Sequence, residues 1–422
     1  MIMKKNSYKI SIIGMGYVGL PLACEFGKHF EVIGFDINQD RILELKDKKD
    51  VTHEVNKKII KDAKRLIFTS DIAKLKDSNI YIVTVPTPIY KNKKPNLNSL
   101  KSASKMIGKN LSKNDIVIYE STVYPGATEE ICVPLLEKYS KLNYNKDFFC
   151  GYSPERINPG DKEHRLPNII KIISGSNSAT TKIISKLYLK IITAGIHIVS
   201  NIKTAEASKV IENVQRDLNI ALSNELSIIF DKLNIDTKEA IDGAATKWNF
   251  QKFYPGLVGG HCIGVDPYYL TYKSKINGVN PKIILSGRKL NDMMPNHIAG
   301  RLKNDLNKIG IKKKEPKIIV LGITFKENCP DIRNSKVFDL ISILQLMNFD
   351  VTVNDPYVKN IDGIKFNNTI DQLALYDAAI VCVGHKQYIK MGVNKIKKMC
   401  RKKSLLYDLK SIFKINESDF RL

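Results

Sequence analysis

One of the seven cysteines lies in a sequence setting that favours chemistry over packing. Cys262 follows Gly259 and Gly260, and a carboxylate, Asp266, comes four residues after it. Glycine lets the backbone approach a ligand and adopt positive φ angles, so a thiol in this setting is expected at the wall of a pocket. The alternative is that Cys262 is a small buried hydrophobic residue, as intracellular cysteines commonly are. The setting makes Cys262 a candidate nucleophile.

The length and the cysteine usage restrict the class of protein. At roughly 150 residues per domain, the 422 residues suggest two or three domains. The cysteines show no CxxC pair and no metal-type spacing, so we expect a reduced, cytoplasmic protein that binds no metal. No apolar run reaches the roughly 18 residues that a membrane span requires, so we expect no membrane partner.

The net charge of +24 raises the question of a nucleic-acid partner. The excess of basic residues is almost entirely lysine, and basic runs such as 312–314 and 395–403 contain no interleaved aromatic residues. Aromatic side chains are what single-stranded nucleic acids stack on, so we interpret these runs as solvated faces and expect no nucleic acid. An anionic small-molecule substrate fits the charge equally well.

The N-terminal region carries the complete pattern of a dinucleotide-binding fold. A short buried strand at 8–13 leads into a glycine loop and a helix at 20–28, and a second strand at 31–35 ends at Asp36. The loop places Gly14, Gly16, Tyr17, Val18 and Gly19 around a pyrophosphate at the helix N-terminus. Asp36 is expected to accept hydrogen bonds from the adenosine ribose and to repel a 2′-phosphate, which favours NAD over NADP. Arg41 lies near enough in sequence to reach the adenosine.

Further strands end in loops that carry polar residues. Strands are predicted at 80–85, 115–120 and 148–152, and the carboxyl ends of parallel strands are where open α/β sheets bind ligands. The loops supply candidate contacts to cofactor and water, with ordinary turn chemistry as the alternative: Pro86, Thr87, Ser121 and Thr122. Glu155 follows the third of these strands and is a candidate base.

A long helix is predicted from 204 to about 233, because this stretch contains no glycine or proline. Polar residues recur along it at three- and four-residue steps beside an apolar row. This polar stripe consists of Glu206, Lys209, Asn213, Arg216 and Asp217, and the apolar row of Val210, Val214, Leu218, Leu222 and Leu226. In a packed central helix, Lys209 and Asn213 would point into one cavity. The alternative is a surface helix with a solvated edge.

A second α/β alternation begins after a helical segment at 281–307 and a Lys-rich linker at 308–316. Strands are predicted at 317–322, 349–353 and 378–383. In place of a glycine loop, residues 323–333 offer Lys326 and Arg333, which suit an anionic ligand. The predicted fold class is α/β, with two Rossmann-like domains joined by a long central helix and a small helical domain. The predicted domains are 1–203, 204–308 and 309–422.

Along nearly its full length the chain resembles the UDP-glucose/GDP-mannose dehydrogenase family. Ordered motifs carry the resemblance: GMGYVGLPLA (14–23), VPTP (85–88), ESTVYPG (120–126), YSPERINPGD (152–161), the helix around Lys209 and Asn213, GLVGGHCIGVDPYYL (256–270) and GITFKENCPDIRNS (322–335). The PERINPG and GGHCIGVDP forms look most like the branch that oxidises UDP-N-acetylhexosamines, UDP-GlcNAc before UDP-GalNAc, to uronic acids for surface polysaccharides such as capsule.

The resemblance implies a role for each candidate residue. Two NAD would be consumed per sugar, with Cys262 forming a thiohemiacetal and then a thioester. Lys209 and Asn213 would hold the oxyanion, while Asp266, Glu155 and Thr122 would handle protons and the hydrolytic water. Arg333 would contact the cofactor. The UDP-sugar would be bound by a larger set: Glu155, Arg156, Lys209, Asn213, Gly259, Phe325 and Lys326. A homodimer or higher homo-oligomer is also implied.

The chain departs from the UDP-glucose branch at one position. That branch carries a second carboxylate four residues after the glutamate that matches Glu155, and here the position is Pro159. Two rival functions share parts of the pattern. A two-electron hydroxyacid or sugar-acid dehydrogenase would need no cysteine, and a nucleotide-sensing or nucleic-acid-binding protein on a retired dehydrogenase fold would have lost Cys262 or Lys209. UDP-N-acetylmannosamine and UDP-glucose are the alternative substrates.

Overall fold

A computed structural model describes residues 8–52, 54–156, 165–260, 263–370 and 373–422. It divides the chain into two compact units, one of Met1–Glu212 with Tyr268–Val279 and one of Asn213–Pro267 with Asn280–Leu422. Cys262, Ile157 and Pro159 lie outside the described residues.

The first unit is built on an eight-stranded sheet. Its strands are β1 (Lys9–Ile13), β2 (Glu31–Phe35), β3 (Leu66–Thr69), β4 (Ile80–Val83), β5 (Ile116–Tyr119), β6 (Phe149–Tyr152), β7 (Lys171–Gly175) and β8 (Ile196–Ile198). Their order is β3-β2-β1-β4-β5-β6-β7-β8. All neighbouring pairs are parallel except β6 with β7. The first six strands therefore have the order of a Rossmann sheet.

Helices connect these strands as parallel pairing requires. They are α1 (Gly19–Phe26), α2 (Gln39–Lys46), α3 (Lys57–Asp62), α4 (Asn98–Gly108), α5 (Val133–Ser140) and α6 (Ser178–Tyr188), with short 3₁₀ segments at Ile72–Asp77 and Leu166–Asn168 and one π turn at Thr128–Cys132. The central strands are apolar on both faces, for example Ile80–Val83, because helices cover both sides of the sheet.

The second sheet repeats the same topology with six strands. They are β9 (Lys317–Leu321), β10 (Asp350–Asn354), β11 (Lys365–Phe366), β12 (Tyr376–Val381), β13 (Cys400–Asp408) and β14 (Phe420–Arg421), all parallel in the order β11-β10-β9-β12-β13-β14. Successive residues of β9 face opposite cores, Ile318 and Val320 on one side and Ile319 and Leu321 on the other.

The remaining helices are α7 (Ile202–Leu233), α8 (Thr237–Ala244), α9 (Asp266–Ile276), α10 (Lys282–Lys308), α11 (Val337–Leu346), α12 (Lys386–Met391) and α13 (Val393–Met399). The predicted fold class is confirmed: two Rossmann-like sheets, with the 32-residue helix α7 between them in the chain. The predicted helix 204–233 was two residues too short. No helix within the described ranges is long and apolar enough to cross a membrane.

Burial along α7 does not follow the polarity of its residues. Of the polar stripe, Glu206, Asn213 and Asp217 are fully buried and Lys209 is 1% exposed. The neighbouring apolar row is not uniformly buried, because Leu222 is 56% exposed. Burying so many polar side chains is costly unless each has a partner, so the stripe marks a structured interior site and not a solvated helix edge.

Candidate active site

The glycine loop has the geometry that a dinucleotide requires. Gly14 has a φ of +100°, and a Cβ on Gly19 would lie 1.8 Å from the Gly14 carbonyl oxygen. These two glycines are therefore required by the turn and by the contact between loop and helix. A Cβ on Gly16 would meet nothing within 4 Å. Gly16 instead lies where the loop is open, and Tyr17 and Val18, both half-buried, lead into α1.

Asp36 is organised by the same loop. Its Oδ2 accepts a hydrogen bond from the Met15 amide at 2.8 Å, and its Oδ1 accepts one from the Asn38 amide at 2.9 Å. A carboxylate has about four lone-pair sites, so both oxygens retain capacity for the hydroxyls of a ribose. The open loop, the α1 N-terminus and this half-buried acid together fit the pyrophosphate and adenosine ribose of NAD.

Arg41 supports the loop from within the protein. Its Nε donates to the Met15 carbonyl oxygen at 2.9 Å, and its guanidinium pairs with Asp50 at 2.8 Å. Burial raises the pKa of Asp50, but hydrogen bonds from Thr52, Val55 and Arg41 outweigh it and leave that pKa below its ordinary value. The guanidinium is thus held by the Met15 carbonyl oxygen and by the Asp50 carboxylate.

The loops after β4 and β5 are tied to each other by hydroxyl groups. Thr87 Oγ1 donates to the Thr122 carbonyl oxygen at 2.7 Å, and Ser121 Oγ donates to the Val85 carbonyl oxygen at 2.7 Å. Pro86 is exposed between them, and Thr122 is half-buried. Turn chemistry therefore occupies the hydroxyl protons of Thr87 and Ser121, which leaves their oxygens as acceptors toward a ligand.

Lys209 and Glu155 form a buried ion pair in the first unit. Lys209 Nζ lies 3.1 Å from Glu155 Oε1 and 3.1 Å from the Glu155 carbonyl oxygen. The Glu155 segment is held from both sides, since the Ser153 amide donates to Tyr119 and Ser153 Oγ donates to Ile172. Arg156, the next residue, pairs with Glu212 one turn further along α7. A water-excluded ammonium beside a carboxylate can stabilise a negative oxygen and exchange protons.

Asn213 and Asp266 form the corresponding pair in the second unit. Asn213 Nδ2 donates to Asp266 Oδ2 at 2.5 Å, and both side chains are buried. Arg216 Nη1 lies 3.4 Å from Asn213 Oδ1. Asp266 is the first residue of α9. Four of the predicted site residues therefore form two buried pairs, Lys209 with Glu155 in the first unit and Asn213 with Asp266 in the second.

The residues that precede Cys262 are closely packed on the second nucleotide fold. The Gly260 amide donates to the Asn334 carbonyl oxygen at 3.2 Å, and Gly260 has a φ of +86°. A Cβ on Gly259 would lie 2.5 Å from the Asn334 oxygen, and one on Gly260 would lie 2.8 Å from the Phe325 ring. These glycines are required by close approach, as the sequence predicted for this segment.

The six described cysteines are all buried. Burial raises the pKa of Cys24, Cys132 and Cys400 to about 12 and the pKa of Cys150 well above its ordinary value. Because the thiolate is the nucleophile, these thiols are unreactive near neutral pH. No group of His, Cys, Asp and Glu within the described ranges is arranged to hold a metal ion.

The loop after β9 carries the basic residues predicted to meet an anion. Arg333 makes a two-point contact with Asp331, at 2.8 Å through Nε and 2.5 Å through Nη2. Phe325 and Lys326 are half-buried on the same loop, which closes through the Phe325 amide and the Asp331 carbonyl oxygen. Asp331 pre-orients the Arg333 guanidinium.

Three consecutive models of one protein family match the chain. They are the UDP-glucose/GDP-mannose dehydrogenase NAD binding domain at residues 8–192, the central domain at 203–293 and the UDP binding domain at 319–415. The chain belongs to the UDP-glucose/GDP-mannose dehydrogenase family. The resemblance and the NAD prediction are thereby confirmed.

Relatives within the family match over nearly the whole length. A UDP-N-acetyl-D-glucosamine 6-dehydrogenase of Pseudomonas aeruginosa is 53% identical over 98% of this chain and 99% of its own, and one of Salmonella typhi is 52% identical over 99% of each. The solved structure of a UDP-D-ManNAc dehydrogenase from Pyrococcus horikoshii has a TM-score of 0.90 at 30% identity and covers 98% of each chain.

Two buried polar contacts near the candidate site residues were not found from the sequence. Asn224 binds the backbone of Gly256 at both ends, accepting from its amide at 2.8 Å and donating to its carbonyl oxygen at 3.1 Å. Tyr269 is fully buried and donates to the carbonyl oxygens of Thr87 and Pro88 at 2.9 and 3.2 Å. The first contact had a signal in the sequence, because Asn224 lies seven residues, or two helical turns, after Asp217 of the polar stripe, whereas Tyr269 has the sequence pattern of an ordinary core aromatic.

Glu206 fixes the loop that follows Ser121 and Thr122. Its carboxylate accepts hydrogen bonds from the amides of Gly126 and Thr128, the latter at 2.9 Å. Burial raises the pKa of Glu206 to about 7, although hydrogen bonds from Thr128 and Gly126 lower it. Since Glu206 lies one turn before Lys209 on α7, it ties the ammonium-bearing helix to the loop predicted to meet the cofactor.

Proposed function

We propose that this chain oxidises the C6 alcohol of a UDP-N-acetylhexosamine, UDP-GlcNAc before UDP-GalNAc, to the uronic acid. The observation that supports this substrate class is the likeness, over nearly the whole length and above 50% identity, to two proteins named UDP-N-acetyl-D-glucosamine 6-dehydrogenase. A protein named CapL from Staphylococcus aureus is 49% identical over 97% of each chain. The product would supply a polysaccharide, such as a capsule.

The overall reaction converts one alcohol and one water into a carboxylate and removes four electrons. NAD held by the glycine loop and Asp36 would supply the electron acceptor for both oxidations. Between them the Cys262 thiol adds to the aldehyde carbon to form a thiohemiacetal, whose loss of hydride and a proton leaves a thioester. Water then cleaves the C–S bond, which releases the carboxylate and regenerates the thiol. Six buried cysteines elsewhere leave this role to Cys262, which lies outside the described residues.

The two buried pairs are assigned the remaining steps. Lys209 places a fixed positive charge where the alkoxide and the tetrahedral oxygens develop, and Asn213 donates to the same oxygens. Glu155, beside the Lys209 ammonium, accepts the alcohol proton, and Asp266 with Thr122 orients and deprotonates the hydrolytic water. Ion pairing with Glu155 holds the Lys209 side chain in place before substrate binds.

We assign the UDP-sugar to the substrate-binding residues that the resemblance implies, which are Glu155, Arg156, Lys209, Asn213, Gly259, Phe325 and Lys326. Arg333, oriented by Asp331, contacts the nicotinamide half of the cofactor. We assign 1–203 as the NAD-binding domain, 204–308 as the central domain and 309–422 as the UDP-sugar domain. The protein is proposed to act in the cytoplasm as a homodimer or higher homo-oligomer.

The NADH yield per UDP-sugar tests the four-electron mechanism. We expect a yield of two, as implied by a covalently retained aldehyde, and a uronic acid as product. Cys262→Ser should stall after partial oxidation, because a hydroxyl is a weaker nucleophile and an ester a more sluggish acyl intermediate. A yield of one with free aldehyde would instead indicate a two-electron dehydrogenase.

Competition among UDP-sugars tests the substrate class. The purified protein would be assayed with NAD and UDP-GlcNAc, UDP-GalNAc, UDP-ManNAc or UDP-glucose. We expect the highest kcat/KM for an N-acetylated sugar, since pocket groups that pair with the amide are left unpaired by glucose. The highest value with UDP-glucose would overturn the branch assignment but leave the family chemistry in place.

A further inference from the structure

A fully buried histidine lies beneath the basic loop of the second nucleotide fold. His385 immediately precedes α12 and is 0% exposed. Its Nδ1 lies 2.9 Å from the Asn328 amide nitrogen. Its Nε2 lies 3.2 Å from Thr324 Oγ1 and 3.3 Å from Asp355 Oδ2. Both ring nitrogens are therefore engaged, and all three partner groups belong to the loop after β9 or to the end of β10 beside it.

The partners determine which nitrogen carries the proton. A backbone amide can only donate, so Nδ1 of His385 must accept from Asn328 and cannot itself be protonated. The proton then lies on Nε2, which donates toward Thr324 and Asp355. The neutral ring with a protonated Nε2 is the state that satisfies the contacts with Asn328, Thr324 and Asp355.

The hydrogen bonds continue from the ring to the backbone of Lys326. Thr324 Oγ1 donates its single proton to the Lys326 carbonyl oxygen at 2.9 Å, so its lone pairs remain to accept from His385 Nε2. On the other side of the loop, the Lys386 amide donates to Asn328 Oδ1 at 3.0 Å. Asn328 itself has a φ of +57°. The loop from Thr324 to Asn328 is thus held at both ends by residues 385 and 386.

We infer that His385 is a positioning residue for the substrate nucleotide, because its neutral ring sets the backbone conformation from which Lys326 and Phe325 reach the UDP-sugar. The inference rests on the proposed function, which assigns those two residues to substrate. His385 touches no substrate in this role. Its effect is transmitted chiefly through the Asn328 amide, for which Nδ1 is the acceptor.

Two substitutions at His385 separate the contributions of the two nitrogens. In His385→Asn the amide oxygen replaces Nδ1 and can accept from Asn328, whereas in His385→Gln the side-chain end replaces Nε2 and leaves the Asn328 amide without an acceptor. We expect His385→Gln to weaken UDP binding on the order of tenfold, because the half-buried bond from the Asn328 amide loses its acceptor. His385→Asn should stay within about threefold of the unchanged protein by the same reasoning.

The measurement is calorimetric titration of the full-length variants with UDP and, separately, with NAD. Tyr388→Phe is the matched control, since Tyr388 is a buried residue of α12 that hydrogen-bonds to Asn354 and not to the loop. We expect NAD affinity to be unchanged in all three variants and UDP affinity to be unchanged in Tyr388→Phe. UDP affinity unchanged in His385→Gln, or lost equally in His385→Asn or Tyr388→Phe, would overturn the inference.

Lys326→Ala separates this inference from the proposed function. If Lys326→Ala binds UDP normally, the substrate assignment of the loop fails; if it weakens UDP binding while His385→Gln does not, only the role of His385 fails. Nitrogen-15 spectra of the unchanged protein give an independent check should His385→Gln not fold. The His385 Nδ1 signal, assigned by its loss in His385→Asn, should be that of an unprotonated ring nitrogen, and a protonated Nδ1 would overturn the inference.

Discussion

The two nucleotide folds build the same turn around an acidic residue. In each, a glycine after the first strand has a positive φ, +100° at Gly14 and +89° at Gly322. In each, the next amide donates to the acid after the second strand, from Met15 to Asp36 at 2.8 Å and from Ile323 to Asp355 at 2.8 Å. Asp36 and Asp355 thus occupy equivalent positions in the two folds.

The folds differ in what covers that acid. Asp36 is half-buried, whereas Asp355 is 4% exposed and lies against His385. Burial raises the pKa of Asp355, but hydrogen bonds from His385, Ile323 and Tyr357 outweigh it and leave the pKa below its ordinary value. The first acid is available to a ribose, and the second is occupied by the protein. A βαβ turn therefore supplies an acceptor, while a residue distant in sequence decides whether a ligand can use it.

The largest expected effect is on kcat and comes from Lys209, a residue of the unit that contains the first fold. We expect Lys209→Ala to lower kcat by roughly 10²-fold or more with a smaller change in KM, because the charge acts mainly in the transition state. Steady-state kinetics with saturating NAD is the measurement. Lys203→Ala, an exposed lysine of the same helix, is the control. A variant that kept its kcat and merely unfolded earlier would make the Lys209–Glu155 pair structural.

The second prediction concerns the covered acid. Asp355→Asn should lower the free energy of unfolding by about 2 kcal/mol, because an amide NH₂ would face a backbone N–H that now has a carboxylate acceptor. The KM for NAD should be unchanged. Denaturant titration measures the first quantity and kinetics the second. A change in KM for NAD without loss of stability would remove the distinction between the two acids.

The third prediction concerns the open acid. Asp36→Asn should raise the KM for NAD by about tenfold, since one charged acceptor for the ribose is lost. The loss in free energy of unfolding should be smaller than in Asp355→Asn, because Asp36 is half-buried and water can replace a lost acceptor. The unchanged protein should also prefer NAD to NADP in kcat/KM. Comparable values for the two cofactors would contradict the assignment of Asp36 to the ribose.

The smallest expected effect is on how the free energy of unfolding depends on pH. Burial raises the pKa of Asp115, which precedes β5, to about 7, whereas the pKa of Asp355 is lowered. Because the pKa of Asp115 is higher in the folded state, its contribution to stability is present at low pH and is lost as the pH rises through about 7. Between about pH 5 and pH 6, the free energy of unfolding of the unchanged protein should fall by about 1 kcal/mol relative to that of Asp115→Asn. Parallel stability curves for the two proteins would contradict the raised pKa.

Local features of this protein were determined by the sequence. The strands β1, β2 and β9 and the helices α7 and α10 lie within two residues of their predicted ends, because apolar runs and the absence of glycine and proline act within a few residues. The glycine loop and Asp36 follow from the same local rules. The strands β3, β7, β8, β11, β13 and β14 were not predicted. Length is not the reason for β13, which has nine residues and begins in the basic run 395–403 that we interpreted as a solvated face.

The partners of the polar residues were decided by the tertiary structure. Lys209 meets Glu155 across 54 residues, Asn224 meets Gly256 across 32, and His385 meets Asp355 across 30. Hydrophobic periodicity says which face of an element is apolar, but a buried polar side chain is satisfied by whatever the strand order brings within about 3 Å of it. For this reason the stripe on α7 could be identified from the sequence while its burial, and the histidine beneath the second acid, required the folded chain.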